Sequence, residues 1–120
     1  MISRQNRLGR LDTRWVLKKG ESLTTDLFIV RYLKIQPTEG KDANPPKFTV
    51  VTSTKLAKKA VDRNRVKRRI NEALRLELNE VKNTSQSWKV AIIPKKRALD
   101  VEYTKITEDI KKLITSLNNG

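Results

Sequence analysis

Neither cysteine nor histidine occurs anywhere in the 120 residues, and each absence removes a class of chemistry. Without Cys there is no disulfide and no thiolate nucleophile, and without either residue the usual zinc ligands are missing. Without His no side chain has an unperturbed pKa near neutrality, so general acid–base work would fall to retuned carboxylates or lysines. Autonomous catalysis by the polypeptide is therefore not expected. Long hydrophobic runs are missing too: the apolar stretches are a few residues each, far short of the roughly 20 that a membrane helix needs. The start, Met1-Ile2-Ser3-Arg4-Gln5-Asn6-Arg7, carries no apolar core of a secretion signal. A soluble, cytoplasmic protein is the expectation, and no obligate protein partner is evident.

What is present in excess is positive charge. Lys and Arg number 27 against 13 Asp and Glu, a formal net charge of +14 with a sequence pI near 10.4. Such a charge repels itself in a folded chain and is most simply understood if a polyanion neutralises it in the working complex. The length fits one domain with a single hydrophobic core, here residues 1–120 taken whole.

Hydrophobic periodicity divides the chain into helices and strands. Leu11, Trp15 and Val16 recur at helical spacing within Leu11–Lys19, and Gly20 stands where a C′ glycine would end that helix. Leu27–Ile35 and Lys47–Ser53 are rich in β-branched and aromatic residues and read as strands, with Glu21–Thr24 as a short pairing strand. Between them Gln36–Pro46 is a loop, since Asn44-Pro45-Pro46 cannot continue a ladder, and it is expected to join adjacent antiparallel strands. Trp88–Pro94 is the last strand, closed by its proline. A long helix is expected from Asp62 or Asn64 to Val81, either residue being able to cap it, with Val66, Ile70, Leu74, Leu78 and Val81 as its apolar stripe. The final helix spans Asp100 to Leu117, where Tyr103, Ile106, Ile110, Leu113, Ile114 and Leu117 recur. This order predicts a two-layer α+β or α/β domain.

Charge location is more informative than its total. Residues 55–69 carry Lys55, Lys58, Lys59, Arg63, Arg65, Lys67, Arg68 and Arg69 against Asp62 alone, and residues 1–20 carry six cations against Asp12. In the long helix Arg65, Arg68 and Arg69 share one face, while Val66, Ile70, Ala73 and Leu74 share the opposite one. Like charges at these spacings cost a few tenths of a kcal/mol per pair, and cations at a helix start oppose its dipole. A sequence that accepts those costs is placing an anion there, and arginine suits phosphate geometry. Ser53-Thr54-Lys55-Leu56-Ala57-Lys58-Lys59 can add backbone contacts to phosphates or form a capped turn. Trp15, Tyr32 and Phe48 can stack on unpaired bases. Core packing is the readier role for Tyr32 and Phe48.

With those residues in view, the chain resembles the protein component of bacterial ribonuclease P over nearly its full length. The resemblance is carried by the composite Ser53-Thr54-Lys55-Leu56-Ala57-Lys58-Lys59-Ala60-Val61-Asp62-Arg63-Asn64-Arg65-Val66-Lys67-Arg68-Arg69-Ile70, with Asn6-Arg7-Leu8, Val16–Gly20, Val90–Pro94 and the helix from Tyr103 in support. It implies an α+β two-layer sandwich with a four-stranded central sheet and a left-handed βαβ crossover, like the second domain of ribosomal protein S5. It also implies a role as protein subunit of the endonuclease that removes the 5′ leader of precursor tRNA, with the active site in the catalytic RNA. The implied partners are that RNA and precursor tRNA, and the implied ion is Mg2+, bound mainly through RNA. By position Arg63, Asn64, Arg65, Lys67, Arg68 and Arg69, with Lys55, Lys58 and Lys59, match the RNA-binding motif. Trp15, Leu17, Ser53 and Lys55 would line the leader-binding cleft. Two positions depart from the family pattern: Thr13 and Leu17 stand where first-helix aromatics are usual, and Thr54 replaces a usual basic residue.

Two other readings share some of these features. A structural RNA-binding protein of the ribosome would share the charge and size but has no reason to reproduce the Ser53–Arg69 composite. A helix-turn-helix DNA binder fits poorly, because strands flank the basic helix.

Overall fold

The computed structural model describes residues 6–35, 46–80 and 87–119. In chain order the elements are α1 (Arg10–Lys19), β1 (Glu21–Thr24), β2 (Phe28–Ile35), β3 (Lys47–Val50), α2 (Ala60–Glu80), β4 (Ser87–Pro94) and α3 (Tyr103–Asn119), with a short 3-10 turn at Lys96–Leu99 before α3. The strands form one sheet in the order β1-β2-β4-β3. β1 is antiparallel to β2 and β2 to β4, whereas β3 runs parallel to β4 with Phe48 opposite Val90 and Val50 opposite Ile92. A parallel pair cannot be joined by a hairpin, so α2 is the crossover between β3 and β4.

The α+β architecture is as expected, but one adjacency is not. The strands on either side of residues 36–46 do not pair, because β4 inserts between them. The cause is in β4 itself: Val90, Ala91 and Ile92 are all fully buried, so this strand needs a neighbour on each edge and cover on each face. The loop expected at Gln36–Pro46 lies outside the described residues except for Pro46, as does Val81.

Strand alternation then assigns the two faces. Phe28 and Val30 of β2, Phe48 and Val50 of β3, and Trp88, Val90 and Ile92 of β4 share one cluster with α2 and α3. Val66, Ile70, Ala73 and Leu74 come from α2, and Ile106, Ile110, Leu113, Ile114 and Leu117 from α3. This is the main core, where truncating one large side chain costs about 2–5 kcal/mol. Asp109 of α3 is its one charged member among the described residues. Its carboxylate accepts from the Thr25 hydroxyl at 2.6 Å and the Leu27 amide at 2.9 Å, pinning the β1–β2 turn to α3.

The opposite face carries a smaller cluster of Leu8, Val16 and Ala91, flanked by Leu17, Leu33 and Val51. Of the three apolar residues that recur at helical spacing in α1, Val16 is fully buried while Leu11 is 79% and Trp15 55% exposed. The helix rests on the sheet along a narrow line above Ala91, whose methyl lets it come close. Side chains about 100° away from Val16 lie on its flanks. Gly20 also has a different role from the one expected. Its φ of −72° and ψ of 161° are extended rather than left-handed, and its N–H donates to the Val16 carbonyl at 2.8 Å. A Cβ there would sit 2.4 Å from that carbonyl oxygen, so close approach demands the glycine.

Element boundaries shift in three further places. α2 begins at Ala60, which puts Asp62 and Asn64 inside the helix and not at its cap. Asp62 in the first turn still favours the positive end of the dipole. α3 begins at Tyr103, because the 3-10 turn at Lys96–Leu99 takes up the preceding chain. β3 is shorter than expected and ends at Val50, with one more ladder-like bond from the Val51 amide to the Ile92 carbonyl at 2.8 Å.

Candidate nucleic-acid interface

The crossover helix presents its basic face to solvent because its apolar stripe, Val66, Ile70, Ala73 and Leu74, is committed to the sheet. The six residues of the Arg63–Arg69 motif then divide into two sets. Arg63 donates through one guanidinium nitrogen to the carbonyls of Ala57 and Lys58, at 2.7 and 2.8 Å. Arg65 donates to the Leu99 carbonyl at 3.3 Å and Arg69 to the Val101 carbonyl at 3.1 Å. These three tie α2 to the turn before it and to the segment leading into α3. Each guanidinium keeps further N–H donors for an outside anion.

Asn64, Lys67 and Arg68 make no such bonds and stand exposed. With Val61 and Asn71 they line an open groove of about 480 Å³ along the outer side of α2. Lys67 and Asn71 continue it into a smaller depression of about 170 Å³ against Arg7, Leu8, Phe48, Thr49 and Val50, so the groove reaches the outer edge of β3, where the Leu8 amide donates to the Phe48 carbonyl at 3.0 Å. On the other side of Arg68, a hollow of about 260 Å³ is lined by Arg65, Arg68, Arg69, Glu72 and Tyr103. Arg68 is the ridge between the two. Glu72 is bonded to Arg75 one turn on, and that guanidinium holds its carboxyl below the usual range. Burial, and then the Glu72 charge, push the Tyr103 hydroxyl above its usual value, so it stays a neutral donor.

Lys55, Lys58 and Lys59 are exposed on the turn that leads into α2. Leu56 and Ala57 amides both point back to the Ser53 carbonyl, at 3.0 and 3.5 Å. The first helical bond of α2 is Arg63 N–H to Lys59 carbonyl at 3.3 Å. The amides of Ala60, Val61 and Asp62 therefore precede the ladder, and three lysines surround the positive end of the helix.

The opposite sheet face forms a second region beside α1. Ile29 is 40% exposed there, and Thr49, Val51 and Ile93 are half-buried. Arg31 fixes the end of α1 by donating to the Leu17 carbonyl at 3.1 Å and to the Ser22 hydroxyl, and Lys89 pairs with Asp12 at 3.1 Å. Leu17 and Val51 pack on the same cluster, and Ser53 and Lys55 follow Val51 on the exposed turn. Leu17, Ser53 and Lys55 thus fall on one side of α1. Trp15 does not join them, because two residues at 100° each place it about 200° around the helix from Leu17. The aromatics Tyr32 and Phe48 are used inside: Phe48 is buried, and Tyr32 meets Trp88 edge-to-face at 5.6 Å. Sequence reasoning did not single out Asn71, Val61 or Tyr103 as site residues. The helical spacing from Asn64 and Lys67 could have found Asn71, but nothing local signals Tyr103.

Fold and surface together define a small, strongly basic α+β domain whose parallel crossover helix displays a cationic face. The family model for ribonuclease P matches residues 3–118, and the chain belongs to that family. It is 33% identical over 107 residues to the ribonuclease P protein component of Alkaliphilus oremlandii, covering 89% of this chain and 85% of that one. The component of Rickettsia prowazekii is 31% identical, with 81% of each chain covered. Among solved structures, the ribonuclease P protein of Thermotoga maritima superposes with a TM-score of 0.69 at 27% identity, over 89% of this chain and 93% of that one. The Staphylococcus aureus protein shares the fold, with a TM-score of 0.68 at 19% identity over 93% and 94%. Proteins of this family work with an RNA subunit in a holoenzyme that matures the 5′ end of tRNA, and the RNA carries the catalysis. The lack of His and Cys in this chain accords with that division of labour.

Proposed function

We propose that α2 and the turn before it dock the catalytic RNA, while the sheet face beside α1 holds the leader of precursor tRNA. The observation that carries this is the division of the motif: Asn64, Lys67 and Arg68 remain unbonded along one continuous groove, and Arg63, Arg65 and Arg69 hold the helix that presents them. Lys55, Lys58 and Lys59 add sequence-independent phosphate contacts at the helix entry. In the cleft, Leu17, Ile29 and Val51 offer apolar surface to an extended strand, with Ser53 and Lys55 at its end. The magnesium of the holoenzyme is read as bound mainly through the RNA, as the family resemblance implies. A cytoplasmic location follows from the same role. No helix among the described residues is long and apolar enough to cross a membrane.

The test is reconstitution. Mixed with a bacterial ribonuclease P RNA at low magnesium, the protein is expected to stimulate leader cleavage of precursor tRNA. Absence of stimulation would favour a structural RNA-binding role of the ribosomal kind.

A further inference from the structure

The chain has only two Trp, two Tyr and two Phe, and the fold spends all of them away from the cleft beside α1. Phe28, Phe48 and Trp88 are buried on the far face of the sheet, where Tyr32 stands edge-to-face against Trp88. Tyr103 belongs to α3, and Trp15 to the flank of α1 opposite Leu17. The floor of the cleft is instead Ile29, Thr49, Val51 and Ile93, and its wall is Thr13 and Leu17. No base can stack on a ring there. The Thr13 hydroxyl donates to the Gly9 carbonyl at 2.8 Å, which leaves the hydroxyls of Thr49 and Ser53 to touch a base edge. A hydroxyl both donates and accepts, so it does not tell one base from another.

Charge, in contrast, marks both ends of the wall. At about 100° per residue from the buried Val16, Arg10 falls on the same side of α1 as Thr13 and Leu17. It is exposed and makes no hydrogen bond or ion pair among the described residues. Because the Leu8 amide donates to the Phe48 carbonyl, this end of the wall lies beside β3. At the other end Arg31 of β2, on the same sheet face as Ile29, gives one N–H to the Leu17 carbonyl at 3.1 Å and another to the Ser22 hydroxyl. Its remaining donors are open to an anion, and the two bonds hold the guanidinium in place. Arg10 and Leu17 are about 10 Å apart along the helix axis, so the two guanidinium groups meet different phosphates of one strand.

From this juxtaposition we infer that the cleft grips the leader of precursor tRNA by its phosphates, through Arg10 and Arg31, and does not select its bases. The bases lie on an aliphatic floor that treats them alike, while the backbone runs along α1 from one arginine to the other. Arginine suits both ends because its planar fork matches a phosphate. Selectivity among unpaired bases comes mainly from stacking strength and from hydrogen bonds to base edges, and this cleft has no ring for the first and only hydroxyls for the second. The inference rests on the leader-cleft reading above and adds what that cleft recognises and which residues set its selectivity.

The quantity to measure is the gain in affinity that a leader confers, taken as the ratio between precursor tRNA and leaderless tRNA on the holoenzyme reconstituted with a bacterial ribonuclease P RNA. Leaders made wholly of U, of A or of C are expected to give the same gain within about twofold, since no ring sorts them. A leader whose phosphates are replaced by uncharged methylphosphonates should lose the gain. Arg10→Gln and Arg31→Gln should each flatten the salt dependence of the gain by about 0.7 of a log–log unit, the value for one phosphate of a single strand. Arg31→Lys keeps the charge and should keep the slope. Leu17→Tyr places a ring on the wall and should introduce a preference for A over U and C of about fivefold or more. A native preference of that size, a gain that survives methylphosphonate substitution, unchanged slopes in both glutamine variants, or a Leu17→Tyr chain as unselective as the native one would overturn the inference while leaving the leader in the cleft. If no leader confers any gain, the cleft reading itself fails, and this inference falls with it.

Discussion

At the scale of residues, the basic motif is two devices in one stretch of sequence. Arg63, Arg65 and Arg69 spend donors on backbone carbonyls of other segments, whereas Lys67 and Arg68 have none to serve. Arg68→Ala is therefore expected to lower the log–log salt slope of RNA binding by about one and leave the melting temperature unchanged. Arg69→Ala should do both kinds of damage, since the Val101 carbonyl loses its donor at a cost of about 1–2 kcal/mol. A salt titration beside a thermal melt separates the two variants, and equal melting temperatures would refute the division. The helical wheel already put Arg65, Arg68 and Arg69 on one face. It could not show that the chain before α3 runs within reach of two of them, because that contact joins residues more than thirty positions apart.

At the scale of elements, α1 is the one most poorly read from its own sequence. Leu11, Trp15 and Val16 recur at helical spacing in it, yet only Val16 is enclosed, because the sheet beneath offers a single narrow line at Ala91. That line is a weak point. Ala91→Leu should lift α1 from the sheet and cost about 1–3 kcal/mol of stability through overpacking. The amides of α1 should then exchange faster, leader affinity should fall, and affinity for the catalytic RNA through α2 should hold. Hydrogen exchange with two binding assays checks this, and a parallel loss of both affinities would contradict it. The strands were legible for the opposite reason: the β-branched run around Val90 and Ile92 is apolar on both faces, a pattern that only a central strand satisfies. Its position between β2 and β3 was not legible, since pairing is set by how α2 carries the chain across the sheet.

At the scale of the whole molecule, a net charge of +14 without a single histidine makes the binding surface insensitive to pH. Arginine and lysine stay charged throughout the neutral range, the Tyr103 hydroxyl is pushed further up by burial, and Arg75 holds the Glu72 carboxyl down. The sign for Glu72 is that of a depressed acid: its contribution is present above the unfolded value and lost only as pH falls through the lower folded one. RNA affinity should accordingly change less than about twofold between roughly pH 6 and 8.5, while falling steeply with salt. A bell-shaped pH profile of binding would be incompatible with this surface. By itself the sequence determined the cationic character, the helices and strands, the lack of histidine and cysteine and the family pattern from Ser53 to Arg69, because composition, periodicity and motif are local properties. Only the tertiary structure decided which strand lies at the centre, which arginines brace the helix and which face outward, why Gly20 must be glycine, and that Val16 of α1 is buried while Trp15 is exposed. Each of those depends on distances between segments remote in the chain, and packing alone sets such distances.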